Sequence, residues 1–102
     1  MAKGPEAKVK DKIKAAFRHL QHEGYEIYYH MPVQNGMGAP TLDFIGCFRG
    51  QFFAIETKAP GKKPTDRQLT TIADMEAAGA KTFVYDGTNT AEFGNWLSKL
   101  SR

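Results

Sequence analysis

A chain of 102 residues has room for one sheet with two or three helices on it and is too short for two independent cores. With 41% hydrophobic and 25% charged residues, its composition excludes a disordered or fibrous protein. The net charge of +3 fits a polyanionic partner but does not by itself require one.

No apolar run approaches the roughly 20 residues that cross a bilayer, and the opening Met1-Ala2-Lys3-Gly4-Pro5-Glu6 is polar rather than signal-like. A single cytoplasmic domain over 1-102 is therefore expected. The one cysteine, Cys47, has no partner for an internal disulfide or a cysteine zinc site, and reads as a buried strand residue.

From Glu6 to about His22, Val9, Ile13, Phe17 and Leu20 recur at helical spacing, with Pro5 suited to the first turn and Gly24 to the stop. The aromatic and β-branched run from Tyr25 to Val33 reads as a strand weakened at its end by Pro32. A glycine-rich loop, 34–40, follows. Leu42 to Phe48 and Gln51 to Ala59 then form two strands of a hairpin about Arg49-Gly50.

After the loop Pro60-Gly61-Lys62-Lys63-Pro64, Thr65 caps a helix whose inner residues are expected to be Leu69, Ile72, Ala73 and Met75 or Glu76, ended by Gly79. Lys81 to Tyr85 is a strand. Asn89 or Thr90 then caps a last helix carrying Phe93, Trp96, Leu97 and Leu100. The predicted order is αβββαβα.

The hairpin carries the sharpest inference. A turn centred between Arg49 and Gly50 places Asp43 opposite Glu56, with Cβ atoms roughly 4.5 to 5.5 Å apart and both side chains on one face. Lys58, two residues beyond Glu56, shares that face. Facing carboxylates repel unless a cation neutralises them, and Mg²⁺ is held by one or two carboxylates plus substrate phosphate. In such a site Lys58 orients a metal-bound water or stabilises developing charge, two roles that sequence does not separate. The bland alternative is an ordinary surface ion-pair group.

Pro40-Thr41-Leu42-Asp43 followed by Glu56-Thr57-Lys58 resembles the PD-(D/E)xK nuclease signature. Four further features narrow the resemblance to the VRR-NUC branch, notably its small stand-alone phage and bacterial members. They are Glu6 opening the first helix, Gly38-Ala39-Pro40 ahead of Asp43-Phe44, the run from Gly50 to Ala59, and Lys63-Pro64-Thr65 followed by Gln68. The likeness covers about residues 5 to 86. In many relatives the proline directly precedes the aspartate, whereas here Thr41 and Leu42 intervene.

The resemblance implies an α/β, restriction-endonuclease-like αβββαβ core, a mixed central sheet flanked by helices, to which this chain adds a C-terminal helix. It also implies Mg²⁺ dependence, with Mn²⁺ substituting, and phosphodiester cleavage; some small members act as dimers on branched DNA such as Holliday junctions. Residue by residue, it implies metal binding by Asp43, Glu56 and the Thr57 main-chain carbonyl, catalysis by Lys58, and supporting roles for Glu6 and Gln68. A phage-encoded member would act in the host-cell cytoplasm.

Glu6 lies one turn before Val9 on the same helical stripe and is expected to face the sheet, in a metal-site role or as a partner of the helix dipole. Gln68 is the third residue of a Thr65-Asp66-Arg67-Gln68 capping box, which competes with an active-site role. For DNA binding, Lys62, Lys63 and Thr65 could hold phosphates at the helix N-terminus, Arg67 extends the same basic cluster, and Asn35 and Gly36 lie in the loop before Asp43. His19, His22 and His30 show no ligand spacing, and Tyr28, Tyr29, Phe52 and Phe53 are assigned to packing.

The leading expectation is a homodimeric, structure-selective DNA endonuclease, because paired cuts in opposing strands need two symmetry-related sites. A non-selective nicking nuclease and a catalytically silent nucleic-acid-binding module are the alternatives, with a structural adaptor behind them.

Overall fold

The computed structural model describes residues 4–34, 36, 38–89 and 91–101. Its elements run α1 (Pro5–His22), β1 (Ile27–His30), β2 (Phe44–Phe48), β3 (Gln51–Thr57), α2 (Asp66–Ala77), β4 (Lys81–Tyr85) and α3 (Ala91–Leu100), the predicted order. The strands form one sheet in the order β1-β2-β3-β4, antiparallel as far as β3. β4 pairs parallel to β3, the connection passing through α2.

Strand alternation sends the two residue sets of each strand to different layers. Ile27, Phe44, Phe48, Phe53, Ile55 and Phe83 meet Ile13 and Phe17 of α1 and Leu97 of α3 in the larger core. Ala54 meets Leu42 and Ile72 in a smaller core, with Ile45, Met75 and Val84 packed against it, under α2. Phe17, 1% exposed, stacks on Tyr29 with ring centroids 4.3 Å apart and meets Phe93 edge to face.

The hairpin register is the expected one, from Phe48↔Gln51 to Phe44↔Ile55. Arg49 (φ 50°) and Gly50 (φ 80°) both take the left-handed conformation, the pattern of a two-residue hairpin turn that matches strand twist. Gly46 is a second requirement of this hairpin. A Cβ there would collide with the Tyr28 carbonyl oxygen and lie 2.5 Å from the Phe53 ring, so the neighbouring strand and the core ring approach only because the side chain is absent.

Several expectations need correction. The first strand is shorter than 25–33, because the Tyr25 N–H bonds to the Leu20 carbonyl and so still closes α1, while Val33 is 82% exposed beyond Pro32. Leu42, Lys58 and Ala59 fall outside the strands. Cys47 is exposed, as are Tyr28 and Phe52, which pair across it on the α2 side of the sheet. α2 packs instead against β4 and the Leu42, Ala54 and Ile72 cluster, leaving that row uncovered. Along α2 the inward stripe is Gln68, Thr71, Ile72 and Met75, which leaves Leu69 (49% exposed), Ala73 and Glu76 outside. Thr90, one of two expected caps of α3, lies outside the described residues.

Gly46→Ala should lower stability by about 1–3 kcal/mol, because an inserted methyl clashes with both the Tyr28 backbone and the Phe53 ring. Urea denaturation of the purified variant measures it; an unchanged midpoint would contradict the close approach.

Candidate active site

Glu56 is the penultimate residue of β3, and alternation turns it to the α2 side of the sheet. Only 3% exposed, it is the one acidic residue that is buried among the described residues. Its Oε2 accepts a hydrogen bond from Gln68 Nε2 at 2.7 Å and lies 3.6 Å from the Lys58 ammonium. Both donors come from places that tertiary structure brings together, the first turn of α2 and the segment leaving β3.

Burial pushes the Glu56 carboxyl from its ordinary 4.5 up to about 7, with the neighbouring charge of Asp43 adding to the rise. Lys58 and a backbone hydrogen bond at Asp43 oppose it, and Glu6 adds the last increment upward. Ionising the carboxyl in this position is therefore disfavoured relative to ionising it in water.

Asp43 does not occupy the place that a continued ladder would give it. The β2–β3 pairing ends at Phe44↔Ile55, and Asp43 stands in a bend just before the strand. Its Oδ2 accepts from the Thr57 main-chain N–H at 3.0 Å and from the Thr57 hydroxyl at 2.6 Å. Oδ1 takes Gln34 Nε2 at 3.2 Å and faces Lys10 Nζ of α1 at 3.6 Å. The two carboxylates thus approach each other around the end of β3 rather than straight across a rung.

Gln68 completes the expected capping box and also contacts Glu56. Its Oε1 accepts from the Thr65 N–H at 2.9 Å while its own N–H donates to Thr65 Oγ1, completing the capping box. The remaining Nε2 is what reaches Glu56. An amide is suited to this position because it carries an acceptor and a donor on one rigid group.

Gln34 and Lys10 were not singled out in the sequence. Lys10 carried a usable signal, since it follows Glu6 by four residues and so shares its helical stripe. Gln34 carried none, because its reach to Asp43 depends on the path of a loop. Glu6 itself is half-buried in the first turn of α1. Among the described residues no three His, Cys, Asp or Glu side chains converge as a metal-holding group, so Glu6 is not brought into the carboxylate pair.

Between Val33, Gln34 and the segment 38–41 on one side and the start of α2 on the other lies an open cleft of about 340 Å³, with Gln34 and Gln68 in its wall. Thr65, Arg67 and Gly36 also line it, whereas Lys62 and Lys63 are exposed on the preceding loop. Asn35 lies outside the described residues. An apolar groove of about 290 Å³ between α1 and α3 contains none of these groups.

Two hard oxygen-donor carboxylates, one of them deeply buried with its ionisation further disfavoured by the other, are of the chemistry that a divalent cation takes. A four-stranded mixed sheet with α1 and α3 on one side, α2 on the other, and acid groups gathered where β2 and β3 part is a restriction-endonuclease-like α/β fold. A solved structure described as a VRR_NUC domain has the same fold: TM-score 0.67 over 97% of this chain and 92% of that one, at 19% identity. A scan against protein-family models finds no match, and neither does a search of curated proteins. None of the helices is long and apolar enough, among the described residues, to cross a membrane.

The raised carboxyl of Glu56 has a signed consequence. Between pH 4.5 and 7 the native chain holds a proton that the unfolded chain has released, so this group's contribution to stability falls as pH rises through that window. In EDTA, native protein should lose up to about 3 kcal/mol relative to Glu56→Gln from pH 4.5 to 7.5, read from urea midpoints. A parallel pH profile for the two proteins would show that Glu56 is not held in a costly position.

Proposed function

We propose that this chain is a divalent-metal-dependent DNA endonuclease with Asp43, Glu56 and Lys58 as its catalytic centre. The observation that carries the reading is the meeting of Asp43, Glu56, Lys58 and Gln68 at the end of β3, with both Lys58 and Gln68 directed to one oxygen of a buried glutamate. A solvated surface ion pair would not require that burial.

Asp43, Glu56 and the Thr57 main-chain carbonyl would hold Mg²⁺, for which Mn²⁺ would substitute. When bound, the ion lowers the pKa of a coordinated water and offsets charge on the phosphoryl oxygens. The chain's own groups do the positioning. Thr57 fixes Asp43 through two hydrogen bonds to one oxygen, and Gln68 sets the orientation of Glu56. Lys58 carries positive charge to the edge of the carboxylate pair, where a phosphate entering the site gains negative charge as the bond breaks.

Arg67, Lys62, Lys63 and Thr65 would contact phosphates of the strand that lies along the cleft, together with the loop at Asn35 and Gly36. Glu6 tunes the site from outside as a nearby charge rather than as a ligand. The finer reading is cleavage of branched DNA by a homodimer, since the described residues of each chain form one such centre and two opposed strands need two.

Labelled four-way junction, duplex and single-stranded DNA, incubated with Mg²⁺, Mn²⁺ or EDTA, test this. Glu56→Ala and Lys58→Ala should each cut ~100-fold more slowly or worse while remaining folded. Gln68→Glu, which keeps an acceptor for the Thr65 N–H but replaces the donor to Glu56 with a negative charge, should keep α2 capped and still lose most activity. Preference for the junction would support the finer reading, and equal cutting of duplex a general nuclease. If neither metal supports cutting of any of these substrates, the endonuclease reading fails for them, and a nucleic-acid-binding module or a nuclease with a different substrate takes its place.

A further inference from the structure

The two oxygens of Asp43 have different surroundings. Oδ2 is committed to Thr57, whose N–H and hydroxyl both donate to it. Oδ1 faces the other way, toward Gln34 in the loop and the ammonium of Lys10 on α1, 3.6 Å distant. Any cation drawn to the freer oxygen of Asp43 therefore meets a cation already there.

Lys10 differs from Lys58 in how firmly it is held. Its side chain is 31% exposed, against 12% for Lys58, and its stem lies on a helix rather than in the segment that continues β3. A lysine head at such a position is strongly hydrated, mobile about four carbons, and leaves its partner at small cost. Without it, Asp43, whose side chain is only 10% exposed, would face the Glu56 carboxyl with its outward oxygen lacking a counter-charge.

We propose that Lys10 is the resident counter-ion of Asp43, holding the cation position beside Oδ1 until a divalent ion displaces it, and so setting the affinity of the site for that ion. The inference rests on the reading of Asp43 and Glu56 as metal ligands. Lys10 is a positioning residue here, not a catalytic one. Displacement frees its ammonium at the mouth of the site, where the phosphate backbone would lie.

The test is direct Mn²⁺ binding to the full chain without DNA, followed by electron paramagnetic resonance and by thermal unfolding with and without EDTA. Lys10→Met keeps the stem and removes the charge; it should bind Mn²⁺ about fivefold more tightly than the native chain or better. Its Tm should be lower than native in EDTA and recover at saturating Mn²⁺, a recovery that a merely structural contact would not give. Lys10→Arg should bind no more tightly than native, and Lys10→Gln repeats the comparison should the methionine variant fail to fold.

Unchanged or weaker Mn²⁺ binding in Lys10→Met, with binding abolished in Asp43→Asn, would overturn the role of Lys10 and leave the metal site intact. No binding by the native chain or by Lys10→Met would overturn both.

Discussion

The carboxylate of Glu56 lies almost wholly out of water at the end of a central strand, and the arrangement around it follows from that. A buried acid is tolerated only when its oxygens are paired, or when it keeps its proton. Gln68 and Lys58 provide the pairing on one oxygen, while burial and Asp43 push the group toward its protonated form. The balance leaves a carboxyl that a cation could shift to its charged state, which is the property a metal-dependent centre needs.

The sheet topology supplies those partners. Because β3 pairs parallel with β4, the chain must cross over between them, and the crossover helix α2 lies on the face to which Glu56 turns. Its first turn then reaches the carboxylate. Gln68 therefore couples helix capping to the site, and a change in the loop before α2 would be felt at Glu56 through one side chain. On the other side of β3, Thr57 turns its hydroxyl toward Asp43, so neighbouring residues of one strand, pointing to opposite faces, hold the two acids.

The β2–β3 hairpin determines how close the acids come. Its left-handed Arg49-Gly50 turn and the side-chain-free Gly46 keep β1, β2 and β3 in register up to Phe44, after which the chain bends away. That bend lets Asp43 reach past the last rung to the Thr57 backbone. It is also where Thr41 and Leu42 separate Pro40 from the aspartate, and Leu42, fully buried under α2, anchors the departure. Loop 33–41 then returns Gln34 to the same carboxylate, linking the cleft wall to the centre.

Much of this was legible in the amino-acid order because it depends on short-range rules. Helical spacing in α1, the two-residue turn and the Thr65–Gln68 capping box are local patterns, and the hairpin register follows from the position of its turn, although Asp43 leaves that register to bond Thr57 instead of facing Glu56. Tertiary structure decided what covers what. Cys47, Tyr28 and Phe52 are exposed because α2 packs against β4 and the Leu42, Ala54 and Ile72 cluster rather than over their row, and Leu69 is exposed because α2 rotates Thr71 and Ile72 inward. The contacts of Lys10 and Gln34 with Asp43 join segments more than thirty residues apart in one case and separated by an irregular loop in the other. Periodicity reports which face of an element is apolar; how far its neighbour extends, and where a strand leaves its ladder, are settled only when the whole chain has packed.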